Sequence, residues 1–154
     1  MKKFKFNLES VHNVRELREE QEQTVFARMR KAVNETEQRL EKIRERRIAA
    51  MDKYLEDLQG GRAADPVEMD LHAKHFASLE RLRIETEIEL EEKRSACREQ
   101  AGLLSAAARE VKVTGKLREK KKALYDRELA KHEQNAMDEI TSAKYAREAG
   151  KSNP

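Results

Sequence analysis

The chain of 154 residues contains no tryptophan, one cysteine, two prolines and five glycines, and aromatic residues make up only 5% of it. Each scarcity excludes something. Few large apolar side chains exclude a compact core of ordinary size. One cysteine, Cys97, excludes an internal disulfide and fits a reducing compartment. No apolar run approaches the ~20 residues of a membrane span. The opening "MKKFKFNLES" has lysines without an apolar stretch behind them, so it does not read as a secretory signal. Scarce glycine and proline argue against a loop-rich chain.

Charge and helix formers are abundant. Charged residues are 41% of the sequence, and 33 Lys and Arg nearly balance 30 Asp and Glu, for a net charge of +3. That balance alone does not announce a nucleic-acid binder. A chain rich in Ala, Glu, Lys, Leu and Arg with periodic apolar positions reads as long helices and coiled coil.

Helix-breaking signals cluster in "QGGRAADPVE", Gln59 to Glu68. Gly60 and Gly61 suit a helix end, because glycine accepts the left-handed conformation cheaply. Asp65 reads as an N-cap, Pro66 as the first helical residue and Glu68 as the capping-box partner. Asn7 reads as the cap of the first helix, with Glu9 in its favourable first turn. The expectation is an all-α, antiparallel two-helix coiled-coil hairpin with an extended C-terminal helix. It forms a single domain, with helix 1 about 8–58, a turn at 59–65 and helix 2 about 66–148. The helices would be roughly 75 and 120 Å long.

Such helices need a partner face. In helix 1, Phe26, Met29, Val33, Thr36, Leu40, Ile43, Arg47, Ala50 and Tyr54 recur at steps of three and four. Helix 2 continues the rhythm through Phe76, Leu79, Arg83, Thr86, Leu90, Lys93, Cys97, Gln100, Leu104, Ala107, Val111, Thr114, Arg118, Lys121 and Tyr125, seven of these fifteen positions being polar or charged. This is the 3.5-residue repeat of a left-handed coiled coil. The two rows meet if paired residue numbers sum to about 126, which sets Met29 against Cys97 and Tyr54 against His72. Residues after about Ala123 would then lack a partner. Leu82, Ile88, Leu103, Val113, Leu117 and Leu124 lie off the seam, either open to outside partners or part of a wider stripe that drifts as a 3.6-residue helix does against a 3.5-residue repeat.

No catalytic or cofactor constellation is present. Gly60-Gly61 lacks the strand and the Lys-Ser/Thr of a phosphate loop. The carboxylates of "IETEIELEEK" read as a solvated face. His72 and His75 share a helix face without a third ligand, and Cys97 reads as a small core residue.

The basic stretch "KLREKKKALYDRE", Lys116 to Glu128, folds back beside Lys2, Lys3 and Lys5, making one positive tip. Glu119, Asp126, Glu128 and Glu133 interrupt it as a nucleic-acid stripe. A structural spacer or filament is the alternative class.

Two stretches carry a family resemblance. "FKFNLESVHNVRELREEQEQ", Phe4 to Gln23, has an aromatic pair, an apolar step and an Arg- and Glu-rich helix. Ala108 to Glu148 has an apolar-Lys-Val step, a leucine, "REKK", an apolar-aromatic step and a basic end. Together they resemble the FliJ family of flagellar type III export proteins, related to YscO of virulence secretion systems. Gly115 departs from the helix former expected there. The resemblance implies a non-enzymatic stalk, without cofactor or metal, at the cytoplasmic face of the inner-membrane export apparatus. Its implied partners are an export ATPase ring (FliI-like), an export gate protein (FlhA-like) and export chaperones, with no nucleic acid and no insertion into the membrane. It implies ATPase-ring contacts at Phe4, Phe6, Leu8, Val11, Arg15, Leu117, Arg118, Lys120, Lys121 and Lys122. It implies gate or chaperone contacts at Phe76, Leu79, Leu82 and Arg83.

Overall fold

The computed structural model describes residues 3–61 and 65–151, with side chains through residue 148. Lys2 and turn residues 62–64 lie outside them. Two helices make up the fold, α1 (Glu9–Gln59) and α2 (Pro66–Lys151), packed against each other as an all-α hairpin.

Local chemistry sets the ends. At the close of α1 the Gly60 N–H donates to the Glu56 carbonyl (3.0 Å) and the Gly61 N–H to the Leu58 carbonyl (3.2 Å). Gly61 holds φ at +74°, a conformation that side-chain-bearing residues resist. Asp65 caps α2: its carboxylate accepts the Val67 N–H (3.0 Å) and its carbonyl accepts the Met69 N–H (3.1 Å). The start of α1 differs from the sequence expectation. The first helical bond runs from the His12 N–H to the Leu8 carbonyl (2.9 Å), so Leu8 occupies the cap position and Asn7 sits in the preceding turn.

The packing divides the chain into two units, Met1–Arg18 with Ala107–Pro154 and Glu19–Ala106. In the second, Val33, Leu40, Leu90 and Cys97 form a buried cluster with Phe26 and Met29 against it. Ile43 and Leu79 are also buried. Each large apolar side chain so covered contributes about 1.5–3 kcal/mol. The seam also buries polar groups, each with a partner. Thr36 donates to the Ala32 carbonyl (2.9 Å) and accepts from the Lys93 ammonium (2.9 Å). Gln100 donates to the Glu22 carbonyl (3.3 Å) and carboxylate. Tyr54 packs edge-on against His72 (5.2 Å between centroids) and Phe76 (6.1 Å). The register is the expected one: Tyr54 meets His72, and Arg47 reaches Glu80 at 3.3 Å.

In the other unit His12 is buried opposite Thr114, with Nδ1 2.7 Å from the hydroxyl. Their numbers also sum to 126. The expectation that α2 loses its partner after Ala123 is corrected here. Residues 3–6 run ahead of α1 without helical coiling, and an extended chain advances about 3.3 Å per residue against 1.5 Å in a helix. Phe4 thereby reaches the Tyr125 ring (5.6 Å between centroids), and Tyr125 and Leu129 are half-buried. Gly115 does not interrupt α2; a Cβ there would stand 3.8 Å from the His12 ring, an ordinary contact.

Gly102 lies mid-helix with open space where a Cβ would be. Gly102→Ala is therefore expected to stabilise the protein by about 1 kcal/mol, read as a higher thermal midpoint in circular dichroism.

Candidate interaction surfaces

Across the helices of the Glu19–Ala106 unit, charges pair in steps along the seam edge: Glu37 with Arg94 (2.7 Å), Arg39 with Glu89, Arg47 with Glu80. The hydrogen bond from Arg39, with a second from Lys93, holds the Glu89 carboxyl at about 2, against an ordinary 4.5. Bonds from Arg83 lower Glu80 and bonds from Arg98 lower Glu91 in the same sense. The pairs that cross between the helices are solvent-exposed and contribute little each; they bias register more than stability. The sign follows from the depressed value. What Glu89 contributes is present above pH 4.5 and is lost as pH falls from there towards 2. Glu89→Gln should flatten that acid limb in pH-dependent melts, and an unchanged limb would contradict the pairing.

The gate or chaperone residues expected on early α2 all fall in this unit. Phe76 is half-buried against Tyr54. Leu79 is 6% exposed, inside the seam. Leu82 faces solvent. Arg83 is half-buried between Glu80 (2.5 Å) and Glu87 (2.7 Å), which hold its guanidinium more firmly protonated. Beside them a shallow groove is lined by Arg44, Arg47, Ile48, Met51, Arg83 and Glu87. His72 pairs with Asp57 (3.2 Å). Among the described residues no three His, Cys, Asp or Glu side chains converge to hold a metal, and no helix is long and apolar enough to cross a membrane.

The ten residues expected at the tip fall in the other unit, which carries 17 Lys and Arg against 10 Asp and Glu, net +7. The Glu19–Ala106 unit carries 16 against 20, net −4. The near-neutral total therefore conceals a strongly basic part. Phe6 is 4% exposed and lies under the Lys121 ammonium, 5.8 Å from the ring centroid. Arg15 donates to the Glu110 carbonyl (3.1 Å), and Arg118 pairs with Glu9 (3.0 Å). Leu8, Val11 and Leu117 are exposed apolar side chains, and Lys120 and Lys122 are exposed cations. Val11 also lines a groove with Ser10, Val14, Arg15, Arg18 and Glu110.

Sequence reasoning passed over His12, which the pairing rule would have found: it is the seam residue whose number complements Thr114. Its Nε2 lies 3.2 Å from Glu16, so both ring nitrogens have partners.

The described residues form a helical hairpin with open grooves, charged rims and small polar seam layers. The chain belongs to the FliJ family, since the family model described as Flagellar FliJ protein matches residues 4–150. That family is a component of flagellar protein export rather than an enzyme. No curated protein and no solved structure gives a significant match.

Proposed function

We propose that this protein is the stalk of a flagellar export apparatus, engaging the export ATPase ring through its basic unit. The observation that carries this reading is the unit's net +7, with exposed Lys3, Lys5, Lys116, Lys120 and Lys122 and exposed Leu8, Val11 and Leu117, its two segments joined by Phe4 on Tyr125, Lys121 over Phe6 and Arg118 on Glu9. Cations around apolar anchors suit an acidic protein surface, where opposite potential speeds encounter and apolar contact holds the complex. Phe6 would act from inside, by keeping the preceding segment packed on α2. The early part of α2, with Leu82 outermost and Phe76 and Arg83 at the seam edge, would meet the export gate and empty export chaperones, with buried Leu79 holding that surface in shape. The protein would then work at the cytoplasmic face of the inner membrane.

The test is a pull-down with the export ATPase of the same organism, followed by ATPase activity and oligomerisation with and without the full chain. Binding with raised activity or ring assembly supports the reading. No binding and no change in either would remove the ATPase from it.

A further inference from the structure

In α2, Arg109, Lys112, Lys116, Lys120, Arg127 and Lys131 fall within an arc of about 100° at 100° per residue. The seam residues Ala107, Thr114 and Tyr125 lie on the opposite side of the helix, towards α1 and the segment that precedes it. All six cations are exposed. None makes an ion pair among the described residues. The sequence expectation had acidic residues breaking this row. Wound into a helix, Glu119, Asp126 and Glu133 instead form their own stripe on one flank, and Glu128 turns away. On the other flank stand Val113, Leu117 and Leu124, all exposed.

We propose that this face of α2 docks on an anionic lipid surface. It is the convex outside of one helix, with no groove to receive a partner helix, so it suits a flat ligand. Its cations stand in a straight row beside an aliphatic row. At a bilayer surface, long basic side chains lie along the interface with their heads at the phosphates, while aliphatic neighbours enter shallowly. A nucleic-acid backbone would meet the acidic flank, and the row has no aromatic side chain to stack bases. An acidic protein accounts for the cations around Leu8 and Val11 but not for the row's continuation along one side of α2 to Arg127 and Lys131. The proposal does not rest on the ATPase reading.

The full chain is tested by co-sedimentation with vesicles of phosphatidylcholine containing phosphatidylglycerol, and with vesicles of phosphatidylcholine alone. Binding should require phosphatidylglycerol and fall with salt. Lys112→Gln, Lys116→Gln and Lys120→Gln together should weaken it about 100-fold. Removing the same charge off the stripe, as Lys121→Gln, Lys122→Gln and Lys144→Gln, should weaken it by about tenfold at most. Circular dichroism checks that both triples remain helical. Leu117→Ser with Leu124→Ser should weaken vesicle binding and leave retention of duplex DNA, if any, unchanged. Absence of binding to anionic vesicles, equal binding to neutral ones, equal loss in the two triples, or DNA binding in place of vesicle binding would each overturn the proposal.

Discussion

Leu90→Ala is expected to destabilise the hairpin by about 2–4 kcal/mol. Leu90 is 5% exposed and joins Val33, Leu40 and Cys97 in the one buried apolar cluster described for the Glu19–Ala106 unit. Its neighbours along α2, Thr86 and Lys93, are hydrogen-bonded elsewhere, Thr86 to the Leu82 carbonyl (2.7 Å) and Lys93 to Thr36 and Glu89. They cannot swing in to fill the space. A two-helix seam has no second layer behind it, so the loss falls on a total stability of order 5–15 kcal/mol. The thermal midpoint should drop by about 10 °C. Leu103, 54% exposed, is the control: Leu103→Ala should stay within about 0.5 kcal/mol. Equal melting of the two variants would mean the seam does not hold the helices together.

Charge reversal at the basic unit should have the largest functional effect. Arg118→Glu, Lys120→Glu, Lys121→Glu and Lys122→Glu together take that unit from +7 to −1. Opposite potentials that favour association become repulsive, and we expect affinity for the export ATPase to fall by roughly 100-fold or more at low salt. Two of the four positions also serve internally. Arg118→Glu places a carboxylate beside Glu9, and Lys121→Glu removes the cation over Phe6. Lys120→Glu with Lys122→Glu touches no partner among the described residues and isolates the surface effect, with helical content near wild type. Binding unchanged in both variants would place the ATPase contact elsewhere on the hairpin.

The architecture was legible because three signals agree. The Gly60-Gly61 and Asp65-Pro66 pairs mark where one helix stops and the next begins, the step of three and four marks the seam, and a short turn fixes the register. Residues such as Thr36, Gln100 and Thr114 were placed on the seam by periodicity alone, although their polarity argues for solvent; the structure gives each a hydrogen-bond partner. Residues 3–6 were misjudged because hairpin arithmetic assumes equal rise on both strands. An extended segment outruns a helix, which brings Phe4 to Tyr125. The cap at Leu8 was missed because backbone bonding, not a side-chain oxygen, closes that end. The cationic row of α2 was hidden by linear reading: Glu119 sits next to Lys120 in sequence but about 100° away around the helix. The tip residues divide by burial in a way no spacing rule foretells, with Phe6 inside and Leu8 outside.

The central claim is that the chain is a working part of flagellar protein export. It is tested most directly by deleting the gene in its own organism and measuring flagellar proteins in the culture supernatant, together with swarming. The account predicts loss of both, restored by the wild-type chain and restored poorly by the charge-reversed variant. Normal secretion and normal swarming in the deletion strain would contradict it.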